Sequence, residues 1–191
     1  MFAFKKKYYL LVENTKDIDF RKLKLFNKYI IIYRKQAVNE NLEELLRFRK
    51  QCRAKRVEFF VSNDVKLMVL LKADGLYISA HNKDLSLSRF KNKNFKLIGS
   101  IHNLKELNLK KTQGCSNLIF SRLFKTHYKF KKGYLGIVKF NLFKLFNKLD
   151  LIPLGGINVT NINKLKSSGF TAFAMLSEIK KKPTKIFSRL F

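Results

Sequence analysis

No stretch of this sequence is apolar for long enough to cross a bilayer. Its longest apolar blocks, such as residues 29–33 and 67–71, fall well short of the roughly 18 residues a spanning helix needs. Basic residues 1–7 precede Tyr8-Tyr9-Leu10-Leu11-Val12, an apolar segment too short for a secretory signal, so a cytoplasmic protein is expected. Cysteine is scarce: Cys52 and Cys115 stand far apart, with no Cys-x-x-Cys and no histidine at ligand spacing, which argues against a disulfide framework or a zinc site. Both are expected to be small buried hydrophobes. The three histidines are scattered and read as structural. An early Gly-x-Gly-x-x-Gly turn, the usual mark of a dinucleotide-binding open sheet, does not occur.

Acidic residues are also few. Asp and Glu number 13 against 41 Lys and Arg, leaving a net charge of +28, a value that invites a nucleic-acid partner. The lysines, however, run along the whole chain together with abundant Asn, Ile and Phe, as an AT-rich coding bias would produce. No basic arm, zinc finger or stacked-aromatic signature accompanies them. They read as a solvated face, and nucleic acid is not the expected partner.

What is present is enough for a core: 46% of the 191 residues are hydrophobic, which fits one domain over residues 1–191. Short β-like runs recur at residues 8–13, 29–33, 57–61, 75–79, 95–100, 117–120, 149–154 and 170–176. Most gaps between them are long enough for one helix and carry helical spacing, as at Leu42, Leu45, Leu46 and Arg49, or Leu104, Leu107 and Leu109. The strongest runs are continuously apolar, like Ile30-Ile31-Ile32, as strands covered on both faces are. Eight alternating units predict a compact α/β protein, a (β/α)8 barrel, with an open doubly wound sheet as the competing architecture.

Residues 151–161, Leu-Ile-Pro-Leu-Gly-Gly-Ile-Asn-Val-Thr-Asn, read as a strand, a bare glycine turn and a helix start capped by Asn158 or Thr160. Glycine lets backbone N–H groups approach a ligand, and a helix start favours an anion, so the unit suits a phosphate; an ordinary tight turn is the alternative. A second strand runs into Ser177-Glu178-Ile179 and a C-terminal helix, so two adjacent helix starts could share one phosphate, the usual arrangement after the last two strands of a barrel. Residues 121–136, rich in Lys, Tyr and Phe, form the longest interval without a clear element. That interval is expected to be either a substrate lid or a surface loop.

Several segments carry a family resemblance in order and spacing. They are Ile31 with Ile32-Tyr33-Arg34-Lys35-Gln36, Ser62-Asn63-Asp64-Val65, Ala73-Asp74-Gly75, Ser100-Ile101-His102-Asn103, Phe124-Lys125-Thr126-His127-Tyr128-Lys129 and Pro153-Leu154-Gly155-Gly156-Ile157. Over nearly its whole length the chain resembles the thiamine phosphate synthase and thiazole tautomerase family of (β/α)8 barrels. In the synthases the resemblance implies that an aminopyrimidine pyrophosphate loses pyrophosphate and a thiazole phosphate captures its methylene, with Mg2+ and cationic side chains on the leaving group. It further implies that Arg34 meets the pyrophosphate, Lys129 acts from the loop after the sixth strand, and Ser100 stands near the reacting centre. Asn63, Thr126, Gly155, Gly156, Leu176 and Ser177 would bind substrate, and Asp64 and Asn82 hold the metal positions.

The departures bear on the same chemistry. Ile32 and Gln36 stand where the synthases have an amide and a second cation, and Tyr128 where they have a threonine. Asn82 replaces a metal aspartate, and the other metal position falls on Asn63, or on Asp64 once a one-residue gap is allowed. By strand alternation Lys35 is expected to point away from the leaving group. The tautomerases' proton-transferring histidine is Arg122 here, and His102 belongs to a different strand end, so the synthase is the better match. The alternatives are a phosphate-binding family member whose chemistry is lost or altered and, behind both, a basic RNA-associated protein.

Overall fold

Successive strands pair in parallel, in sequence order, until the eighth meets the first. The computed structural model describes residues 7–23, 26–35, 41–93, 95–126, 133–147 and 150–176. Its strands are β1 (Lys7–Val12), β2 (Tyr29–Tyr33), β3 (Glu58–Ser62), β4 (Gly75–Ile78), β5 (Lys96–Ile101), β6 (Asn117–Ser121), β7 (Leu151–Leu154) and β8 (Ala172–Met175), and they close into a barrel. Tyr8 registers with Tyr29 on one side and Phe173 on the other, which seals it. All eight expected runs are strands, shifted by a residue or two at their ends. The open-sheet alternative is excluded by the closure.

Helices cover the outside: α1 (Leu42–Ala54), α2 (Val65–Leu70), α3 (Leu104–Thr112), α4 (Gly136–Phe146) and α5 (Ile162–Ser167). Short polar side chains start three of them, Asn41, Asp64 and Asn103 each accepting from a first-turn N–H. Among the described residues, two connections lack an α-helix. Between β1 and β2 the chain makes three 3₁₀ turns, and between β4 and β5 a 3₁₀ segment at Leu85–Lys93. Both stretches are dense in Asn and Asp whose side chains capture nearby amides, such as Asn14 from Lys16, Asp19 from Arg21 and Asp84 from Ser86. Such local bonds compete with helix propagation. No described helix is long and apolar enough to cross a membrane.

Two apolar layers follow from strand alternation. Ile30, Ile32, Phe60, Ile98, Ile119 and Ile152 fill the interior. Ile31, Phe59, Leu76 and Leu97 face outward and pack with Leu45, Phe48, Met68 and Leu107 of the helices. Cys52 is buried and Cys115 half-buried.

The Ala-Asp-Gly segment works for the fold, at the end of the barrel opposite the strands' carboxyl termini. Asp74 receives both guanidinium nitrogens of the buried Arg49 at 3.0 Å and the Phe59 N–H at 2.7 Å, tying α1, β3 and β4 together. Beside it Gly75 lies so close to β5 that a Cβ there would sit 1.9 Å from the Lys96 carbonyl oxygen.

Asp74→Ala leaves Arg49 and the Phe59 N–H without their acceptor, so urea denaturation is expected to show a loss of about 2–3 kcal/mol; an unchanged midpoint would mean water replaces the carboxylate. Burial pushes the thiols of Cys52 and Cys115, and the phenol of Tyr9, up to about 12. The unfolded chain gives up these protons near pH 8.5 for the thiols and near 10 for the phenol, so above those values it binds fewer protons than the folded chain. Stability from this source is intact below about pH 8.5 and declines as pH rises. The urea midpoint should fall from pH 8.5 to 11, and fall less steeply in Cys52→Ala; equal slopes would remove Cys52 as a source.

Candidate active site

Barrel sites lie at the carboxyl ends of the strands. There the inward parity continues past the apolar layer to Arg34 after β2, Ser62 of β3, Ser79 after β4, Ser100 of β5 and Ser121 of β6. Ser100 is only 6% exposed. The inward neighbour on β4 is Tyr77, also buried. Burial raises the Tyr77 pKa while Ser100 and Arg34 pull against it. Sequence reasoning named Arg34 and Ser100 but passed over Tyr77, whose inward parity was the signal.

The β3 and β4 loops are locked to each other by amides. Asn63, at φ 56, accepts through Oδ1 from the Ser79 N–H at 3.0 Å and from Asn82 Nδ2 at 3.2 Å. Asn82 Oδ1 accepts from the Asp84 N–H at 2.9 Å. Asp64 Oδ1 caps α2 through the Leu67 N–H at 2.8 Å. These donors do not fit a resident Mg2+: both amide oxygens are engaged, and the two carboxylates that line the depression, Asp64 and Asp84, each spend an oxygen on a local N–H, of Leu67 and Ser86. Among the described residues no cluster of three His, Cys, Asp or Glu side chains could hold a metal. Lys35, expected to stand apart, lines the same depression as Asn63, Asp64 and Asn82, so a cation does stand beside them.

Beneath this loop lies a device that sequence reasoning missed. Lys110 of α3 is fully buried, and its Nζ donates to the Asn82 carbonyl at 2.7 Å and to Gln113 Oε1 at 2.8 Å. Gln113 Nε2 in turn donates to the carbonyls of Asn82 at 3.1 Å and Asp84 at 2.9 Å. Burial lowers the Lys110 pKa. His102 has a holding role too, its Nδ1 lying 3.0 Å from Glu106 Oε2.

Opposite, the β6 and β7 loops interlock. Leu123 N donates to the Leu154 carbonyl at 2.9 Å and Phe124 N to the Gly155 carbonyl at 3.0 Å. Gly155 and Gly156 have φ of 101° and 68°, and a Cβ on Gly156 would lie 2.5 Å from the Lys125 carbonyl oxygen. The glycines therefore admit the neighbouring loop as well as any ligand, and Gly156→Asp would displace that loop, not merely repel an anion. Asn158 holds the turn that leads into α5: its Oδ1 takes the N–H of Thr160 at 2.9 Å and of Asn161 at 3.1 Å. Thr126 Oγ1 accepts from Arg122 Nη1 at 2.7 Å. Leu176 packs against the interior layer. Lys129, Ser177 and the C-terminal helix expected after it lie outside the described residues, as do 127–132 of the candidate lid. The neck of that lid is closed by Leu135 N to Arg122 O and Gly136 N to Leu123 O, both 2.9 Å.

A family profile described as thiamine monophosphate synthase matches residues 23–179. A thiamine-phosphate synthase from one strain of Prochlorococcus marinus is 28% identical over 142 residues, covering 74% of this chain and 41% of its own length. Another, from Prochlorococcus marinus subsp. pastoris, is 29% identical over 168 residues, covering 86% of this chain and 48% of its own. This chain thus spans less than half the length of those two relatives. A thiamine-phosphate synthase of Pelagibacter ubique is 30% identical over 173 residues, covering 84% of this chain and 82% of its own. A solved thiamine phosphate pyrophosphorylase from Pyrococcus furiosus shares the fold, with a TM-score of 0.71 at 18% identity over 96% of this chain and 92% of that one.

Lys110→Met strips Gln113 Oε1 of its donor and weakens the hold on Asn82. Tryptic cleavage at Lys83 is expected to accelerate at least about tenfold, with global stability falling by roughly 1–3 kcal/mol. An unchanged cleavage rate would show that Gln113 alone holds the loop.

Proposed function

The chain belongs to the thiamine monophosphate synthase family, and from that membership and the barrel mouth we propose that it is a thiamine phosphate synthase. The proposed activity is that of a transferase joining an aminopyrimidine pyrophosphate to a thiazole phosphate. The C–O bond to the pyrimidine methylene breaks and pyrophosphate leaves with the electron pair. The thiazole nitrogen then gives its lone pair to the methylene carbon, forming the C–N bond of thiamine phosphate without any proton transfer. Such a departure is assisted by fixed cations in a site that excludes water. Arg34 is assigned to the pyrophosphate, with Lys129 as its partner from the β6 loop. Ser100 and Tyr77 are assigned to the wall beside the methylene, and Asn63 to the pyrimidine side. Thr126, Gly155, Gly156, Leu176 and Ser177 are assigned to the thiazole phosphate.

The observation that carries this reading is the inward placement of Arg34 and the buried Ser100 at the carboxyl ends of β2 and β5, at the same end of the barrel as the Gly155-Gly156 turn after β7. Cytoplasmic location and a single domain over residues 1–191 belong to the same proposal. Mg2+, which the resemblance implies, is given no step, because the donors at positions 63, 64 and 82 do not fit it.

That misfit favours the second reading, a phosphate-binding family member with lost or altered chemistry. The experiment that separates them is incubation of the purified protein with aminopyrimidine pyrophosphate, thiazole phosphate and Mg2+, followed by mass detection of thiamine phosphate. Product formation is expected, and Arg34→Ala should lower turnover about 100-fold, as loss of one donor from a preorganised electrostatic site does. Thiazole phosphate binding with no product would establish the second reading.

A further inference from the structure

Arg122, which directly succeeds β6, is a cation that the synthase assignment leaves unused. Its side chain lies across Gly155, where a Cβ would come within 2.8 Å of Arg122 Cγ and 3.1 Å of its Cβ. Its Nη1 donates to Thr126 Oγ1 at 2.7 Å, so guanidinium and hydroxyl are joined before any ligand arrives. Because the arginine fills an acceptor site of that hydroxyl, Thr126 keeps its own proton to donate.

The adjacent turn has its carbonyls occupied. Gly155 O accepts from Phe124 N, and Gly156 O from Asn161 Nδ2 at 2.7 Å. None of the hydrogen bonds described for the turn uses the N–H of Gly156 or Ile157. A turn of this kind offers an anion partial positive charge. It discriminates poorly between a phosphate and a neutral acceptor, since N–H groups and a hydroxyl serve both. A guanidinium adds full charge and a planar fork of donors matched to phosphate oxygens.

We propose that Arg122, held by Thr126 over the Gly155-Gly156 turn, is an anion ligand of this site and sets its preference for a phosphorylated over an unphosphorylated ring. The ring's identity rests on the synthase reading, whereas the phosphate contact does not depend on turnover.

The test is calorimetric titration of the parent, Arg122→Met and Arg122→Lys with inorganic phosphate, thiazole phosphate and the unphosphorylated thiazole alcohol. Met and Lys keep the aliphatic packing on Gly155, and a urea midpoint for each variant monitors the fold. Arg122→Met should weaken thiazole phosphate by about 10- to 100-fold, the range for a hydrogen-bonded charge. Alcohol binding should stay unchanged, and Lys should recover part of the loss. Equal loss for phosphate and alcohol would reduce Arg122 to a packing role and overturn the proposal, as would no loss for either. Should the parent bind inorganic phosphate but not thiazole phosphate, the synthase reading fails. Arg122 is then judged on inorganic phosphate alone, where a loss in Met supports it and none overturns it. A parent that binds no phosphate at all overturns the proposal outright.

Discussion

Closing eight strands on themselves forces every second side chain into a space with no room for water, and most of the molecule's other features derive from that constraint. The interior takes isoleucine and phenylalanine for as long as the strands stay paired. One inward step further on, the sequence changes to arginine and serine at positions 34, 62, 79, 100 and 121. The candidate site is thus the end of the strand pattern, built on the rigid parts of the fold. Tyr77 marks the boundary, with its ring in the apolar layer and its hydroxyl among the polar groups.

The two sides of the mouth use different physics. From β3 to β5 the loops are tied by side-chain amides and by Lys110 and Gln113 reaching up from α3. Each of those groups is buried or shared, so little carboxylate charge remains for a metal. From β6 to β7 the loops are joined backbone to backbone, and missing Cβ atoms let them touch. Charge there includes Arg122, anchored through Thr126.

Strand positions were legible in the sequence because each apolar run is a local pattern, and the count of eight alternating units pointed to the barrel, while Arg34 and Ser100 were named through the family resemblance. Legible too was a turn signal at Asn158, whose short polar side chain holds the turn that leads into α5. Lys110 was not legible. On α3 it looks like one more solvated lysine, and its partners at 82 and 113 are brought to it by the barrel rather than by neighbouring sequence. Asp64 can cap a helix and could also ligate a metal, and residue type alone does not choose. The missing helices after β1 and β4 were signalled by Asn and Asp clusters, which gap length ignores.

The shared amide between the β3 and β4 loops has a directional consequence. Asn82 meets Asn63 as a donor, while Asn63 spends the same oxygen on the Ser79 N–H. An aspartate at 82 would set acceptor against acceptor. Turning the Asn63 amide to greet it would point an NH2 group at the Ser79 N–H instead. An aspartate at 63 meets no such conflict, because that residue uses only its side-chain oxygen and would accept both bonds unchanged; the shared amide therefore opposes a carboxylate at 82 while tolerating one at 63.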